Sequence, residues 1–182
     1  MTDVQRAWRF LENSDPIASA EEVQAALKRV AAQVNQQLST SYPLVLAVMG
    51  GAVIFAGQIL PLLHFPLDFD YIHASRYGSE TRGAQIDWRV TPPASARGRA
   101  VLVLDDILDG GHTMAAIRDR LMKLGAASFH CAVLVEKTLR EPKPIRADFV
   151  GLTIAERFVF GYGMDAKGYW RNLPEIRAMR DS

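Results

Sequence analysis

Three carboxylates within five residues, Asp105, Asp106 and Asp109, run directly into Gly110, Gly111, His112 and Thr113, and this stretch is the part of the chain best equipped for chemistry. Ahead of it Val101–Leu104 is a fully apolar run of strand character, and behind it the residues from His112 onward follow a helical period. A tight glycine loop opening a helix points several backbone N–H groups at one spot, which suits a phosphate. The aspartates just before the loop suit sugar hydroxyls or a magnesium ion, since both take hard oxygen partners. No Gly-Lys-Ser/Thr follows at the required spacing, so the loop is not the P-loop of nucleoside triphosphatases.

The elements that must position these residues follow from the apolar pattern. Leu44–Val48 reads as a second buried strand, broken by Met49, Gly50 and Gly51, after which Ala52–Leu63 is helical and Leu67–His73 extended. Val101–Leu104, the helix ending near Gly125 and the strand Phe129–Val135 make a second strand-helix-strand unit. The economical fold is α/β, a mainly parallel twisted sheet with helices on its faces. In such a sheet ligands gather at the carboxyl ends of the strands, where Gly50-Gly51, Asp105-Asp106 and Lys137 would all lie.

Upstream, Ser19-Ala-Glu-Glu22 is a capping box for a helix whose apolar residues Val23, Leu27, Val30, Val34 and Leu38 recur on one face. Ser75–Ala84 is polar and glycine-punctuated between two extended segments and reads as a long hairpin loop, while Thr91–Gly98 and Glu141–Ile145 are further loops. The tail carries strands over Phe149–Ile154 and Phe158–Phe160. It then contains Gly161-Tyr-Gly163-Met-Asp-Ala166, a formal dinucleotide-binding match that fails because neither a helix start nor a distant acidic residue follows.

With 182 residues, 49% of them hydrophobic, the chain fits one domain with a sizeable core. A net charge of +1 with balanced acids and bases gives no nucleic-acid footprint and no polybasic membrane patch, so a small-molecule partner is expected. The single cysteine, Cys131, lies in an apolar run and reads as a buried inert thiol. Arg6, Arg9 and Glu12 interrupt the opening segment, and no run of about 18 apolar residues exists, so the expectation is a cytoplasmic protein without a signal peptide or membrane span.

The run from Val101 to Thr113 closely resembles the phosphoribosyl-pyrophosphate (PRPP) signature of the type I phosphoribosyltransferases, and Asp109 in that setting resembles the purine-salvage branch, with similarity extending from about Ser19 to Asn172. The resemblance implies one domain over residues 1–182. It also implies a lid over about 75–84 carrying Arg76 and Tyr77, and a small hood subdomain built from about 154–182 with N-terminal residues. It implies transfer of the phosphoribosyl group of PRPP to N9 of hypoxanthine, and of guanine, with a xanthine-preferring enzyme or a non-catalytic PRPP-binding regulator as alternatives. Asp105 and Asp106 match the ribose-hydroxyl pair, and Gly110, Gly111, His112 and Thr113 match the 5′-phosphate loop. Gly50, Gly51 and Arg171 match the pyrophosphate contacts, and Asp165, with Asp105 and Asp106, matches the magnesium-linked acids. Asp109 matches the general acid or base at purine N7; Lys137 matches the donor to the 6-oxo group, Phe158 the stacking ring and Val159 its backbone neighbour. Departures are Gly110 where threonine is common, Met49 where some members have lysine, and Arg76 in place of the lid serine. A homodimer or homotetramer is implied as well.

Overall fold

The computed structural model describes residues 2–76 and 86–180. The first element, helix α1 (Asp3–Glu12), begins with a capping box in which the Thr2 hydroxyl accepts from Gln5 N, and strand β1 (Ser14–Ala18) follows. Helix α2 (Ala20–Leu38) starts at Ser19 through the capping box read from the sequence, and buries Val23, Leu27, Val30, Val34 and Leu38 as its apolar period requires.

The expected helix over Ala52–Leu63 splits. Helix α3 covers Val53–Ile59, after strand β2 (Leu44–Val48), and gives way to a 3-10 turn at Leu60–Leu62, where Pro61 cannot supply a helical N–H. Strands β3 (Asp68–Arg76) and β4 (Ile86–Val90) flank the expected lid, whose Tyr77 lies outside the described residues; of Arg76 the structure describes only the strand backbone. Strand β5 (Ala100–Leu108) leads to helix α4 (His112–Leu124), and then come β6 (Ser128–Thr138), β7 (Phe149–Ala155), β8 (Val159–Phe160) and β9 (Ile176–Met179). Phe158, expected within a strand, lies just before β8.

The main sheet has the order β4-β3-β2-β5-β6-β7, parallel throughout except for the antiparallel edge strand β4. Alternate residues of its central strands face two separate cores. Val45, Ala47, Leu102 and Leu104 pack with α2 and α3, whereas Leu44, Leu46, Val101 and Val103 pack with Met114, Ile117 and Leu121 of α4. Helices on both faces therefore bury all of β2 and Val101–Leu104 of β5, which is why these stretches are continuously apolar rather than alternating. Each such fully buried branched side chain contributes about 1.5–3 kcal/mol relative to exposure.

The second sheet, β1-β9-β8, is antiparallel and joins the two ends of the chain. Asp15 of β1 accepts from Arg157, in the link between β7 and β8, and from Arg180, just after β9, at 2.9 and 2.8 Å. Helix α1 buries none of its own residues; it rests on the turn before β9. There the Trp8 and Trp170 rings meet edge-on at 5.1 Å, and Trp170 Nε1 donates to the Ala7 carbonyl at 2.6 Å. Among the described residues no helix is long and apolar enough to cross a membrane.

Cys131 is fully buried in β6, and burial pushes its thiol up to about 12. The thiol therefore stays protonated across the neutral range and is a poor nucleophile there. A chromogenic disulfide reagent is therefore expected to titrate no thiol in the folded protein and one thiol per chain in denaturant. Labelling of the native protein at the rate of a free thiol would overturn this.

Candidate active site

The carboxyl ends of β2, β3 and β5, the first turn of α4 and the turn containing Arg171 enclose a cavity of about 390 Å³. Its wall includes Met49, Gly51, Ser75, Asp105, Asp106, Asp109, Gly110, Gly111, His112, Thr113 and Arg171. Residues read from three distant stretches of sequence thus meet on one edge of the sheet, as parallel strand order requires. The carboxylates are not in a loop after the strand as the sequence suggests: β5 continues through both of them to Leu108, leaving Asp109 as the first residue beyond it.

Asp105 and Asp106 are neighbours on this strand end, with Asp106 N donating to Asp105 Oδ1 at 3.0 Å. Burial pushes the Asp105 carboxyl well above the usual range, and the adjacent Asp106 charge adds to the effect. Asp106 is also raised by burial, against which its hydrogen bonds from Asp105 and Ile107 and the Arg171 guanidinium pull it down. Two carboxyls held in this state gain from a ligand that brings positive charge or hydroxyl donors.

Gly51 is required here for steric reasons. A Cβ at Gly51 would fall on the Asp106 carboxylate, and a Cβ at Gly163 would fall on the Gly51 carbonyl oxygen. Backbone from the β2 loop is thus wedged between the acid of β5 and the turn that follows β8. Gly50 beside it, preceded by a cis Met49–Gly50 peptide, is exposed and outside the cavity wall.

Arg171 reaches the cavity from that same turn. Its Nη1 donates to the Gly163 carbonyl at 2.6 Å and its Nη2 pairs with Asp165 Oδ1 at 2.5 Å, while Asp165 Oδ2 accepts from Gly168 N at 2.6 Å. Asp165 therefore stands one step behind the wall and is oriented by Arg171. Gly111 caps α4 with a φ of +78° and no side-chain acceptor, so the first-turn N–H groups carry no internal cap. An anion at that position would supply it.

Beside the Gly110–Thr113 loop, Asp109 Oδ2 pairs with Lys137 Nζ at 2.9 Å; the aspartate is 58% exposed and the lysine 11%. They project from the ends of β5 and β6, where Leu108 and Glu136 are register partners. Lys137, Val159 and Phe158 do not line the cavity; Val159 is buried in β8 and Phe158 is 52% exposed. Ser75, expected to open the hairpin loop, instead lies within β3, paired with Asp87 of β4, and lines the wall.

Among the described residues no three His, Cys, Asp or Glu side chains converge as a metal cage. The buried Asp105–Asp106 pair nevertheless offers the hard carboxylate oxygens that a magnesium ion takes.

Residues 7–167 match the phosphoribosyl transferase domain family, by far the greater part of the chain. The chain belongs to that family. Among curated relatives, it is 29% identical over 165 residues to the hypoxanthine-guanine phosphoribosyltransferase of Bacillus subtilis, covering 90% of this chain and 92% of that one. It is also 29% identical over 175 residues to the hypoxanthine-guanine-xanthine phosphoribosyltransferase of Tritrichomonas foetus, covering 96% and 92%. Among solved structures, a hypoxanthine-guanine phosphoribosyltransferase of Bacillus anthracis superposes with a TM-score of 0.82 at 26% identity, covering 91% of this chain and 97% of that one. The type I phosphoribosyltransferase fold, with its parallel sheet and terminal hood, is thus the one expected from the PRPP signature.

Proposed function

We propose that this protein is a cytoplasmic, homo-oligomeric purine-salvage enzyme that transfers the 5-phosphoribosyl group of PRPP to N9 of hypoxanthine and guanine. The observation that carries this reading is the Asp109–Lys137 pair at 2.9 Å, a base and a cationic donor side by side at the mouth of a phosphate-suited cavity. The names of both curated relatives include hypoxanthine and guanine, and that of the Tritrichomonas foetus protein includes xanthine as well.

In this reading the open N–H groups at Gly111–Thr113 hold the 5′-phosphate, and Asp105 and Asp106 take the ribose hydroxyls. Gly51 and Arg171 face the pyrophosphate, the arginine charge stabilising negative oxygen as it departs. Asp105, Asp106 and Asp165 would hold a magnesium ion, which would supply positive charge to the departing diphosphate. The Lys137 ammonium donates to the 6-oxo group, Phe158 stacks on the base and Val159 offers backbone contacts. As N9 bonds to C1′, the bond from C1′ to the diphosphate oxygen breaks with its electron pair on that oxygen, and Asp109 accepts the proton leaving N7. A lid bearing Arg76 and Tyr77 would exclude water from an oxocarbenium-like centre.

The test is nucleotide formation from PRPP and magnesium with hypoxanthine, guanine, xanthine and adenine offered separately. Hypoxanthine and guanine are expected to turn over. Adenine, whose 6-amino group turns a donor toward Lys137, is expected to show kcat/KM lower by about 10³-fold or more. Preference for xanthine would favour the xanthine enzyme, and PRPP binding with no base converted would overturn the catalytic reading.

A further inference from the structure

Lys143 lies in the segment between β6 and β7 that the sequence marks only as a loop, and it is not on the wall of the active cavity. Its side chain is nevertheless only 10% exposed. Nζ donates to the Leu108 carbonyl at 2.9 Å and to Glu136 Oε1 at 3.3 Å. Leu108 and Glu136 are directly opposed in the β5–β6 ladder, and the residues that follow them are Asp109 and Lys137. One ammonium therefore ties the end of β5 to β6 on their last shared rung, just before the paired side chains; β6 itself runs on beside β7, with Lys137 opposite Ile154. The same segment packs beneath the phosphate loop, where a Cβ at Gly111 would lie 3.3 Å from Ile145 Cγ2 and 3.4 Å from Lys143 Cβ.

We infer that Lys143 is a positioning residue for purine recognition: it fixes the separation of Asp109 and Lys137 by clamping the strand ends that carry them. The inference rests on the purine reading of that pair. When a base enters, the Asp109–Lys137 ion pair must open so that one group meets N7 and the other the 6-oxo oxygen. The two side chains then no longer hold each other, and only their backbones keep the spacing. A parallel ladder frays at its end unless something beyond the last rung secures it. Charge-assisted hydrogen bonds from a mostly buried cation to a carbonyl and a carboxylate are among the stronger ways to do so. The contact is selective for the purine end. Toward the loop, Lys143 presents only its Cβ to the space beside Gly111, and any replacement other than glycine retains it.

The experiment compares native protein with Lys143→Met and Lys143→Arg, full length in each case. Methionine keeps the packed stem and removes the ammonium. It is expected to raise KM for hypoxanthine about tenfold while KM for PRPP stays within about twofold, and arginine is expected to recover most of the loss. Backbone amide exchange provides a readout that needs no turnover. In Lys143→Met it should accelerate about tenfold at Asp109 and Lys137 and stay unchanged in the first turn of α4. A methionine variant with lowered Tm but native KM for hypoxanthine and native exchange at Asp109 and Lys137 overturns the clamp. If the native protein converts no purine, the functional reading fails, and the exchange comparison alone then decides whether Lys143 holds the two strand ends.

Discussion

Asp109→Asn is expected to lower kcat for hypoxanthine by about 10²- to 10⁴-fold, the range general acid-base groups supply, with KM for PRPP nearly unchanged. Asparagine is the informative replacement because it keeps an amide oxygen where Lys137 now finds Asp109 Oδ2 at 2.9 Å. Lys137 is 11% exposed, and stripping away its partner altogether, as in Asp109→Ala, would leave a largely buried ammonium unpaired. Alanine therefore mixes a catalytic loss with a positional one. Asparagine isolates the loss of a base, and because the aspartate is 58% exposed its Tm should stay within about 2 °C of native. Steady-state rates at saturating PRPP and a thermal melt check both halves. A kcat within threefold of native would remove Asp109 from the chemistry and leave it as a partner of Lys137 alone.

The second large effect is on stability. Gly163→Ala is expected to cost about 3 kcal/mol and lower Tm by about 10 °C, because two independent penalties fall on one residue. Its φ is +103°, a conformation that a Cβ disfavours, and that Cβ would fall on the carbonyl oxygen of Gly51. The obstacle is backbone, which cannot rotate aside as a flexible side-chain tip would. Gly168→Ala supplies the control: its φ is +87° and a Cβ there meets nothing within 4 Å, so it carries the conformational penalty alone, about 1–2 kcal/mol. Equal losses in the two variants would mean that the packing of Gly163 against Gly51 does not matter. A larger loss at Gly163 is expected to bring a raised KM for PRPP, because displacing Gly51 also displaces the Asp106 carboxylate that fills the space where its side chain would be.

What the sequence determined by itself is local. The buried strands β2, β5 and β6 are legible as apolar runs, α2 as an apolar stripe behind a capping box, and the Asp109–Thr113 loop as glycines and acids between a strand and a helix. Each of these signals lies within some twenty consecutive residues, where period, turn chemistry and capping act. The tertiary structure decided what depends on residues far apart. Helix α1 has a local signal in its Thr2–Gln5 capping box, whereas β1 and β9, only five and four residues long, have no strong periodic one. They exist because the two ends of the chain pair with each other, Ser14 opposite Met179. The meeting of Asp109 with Lys137, the wedge of Gly51 between Asp106 and Gly163, and the clamp of Lys143 on Leu108 and Glu136 likewise follow from strand order and register. Register is set by the fit of whole sheet faces against their helices, a property of the packed core that no short stretch of the chain contains.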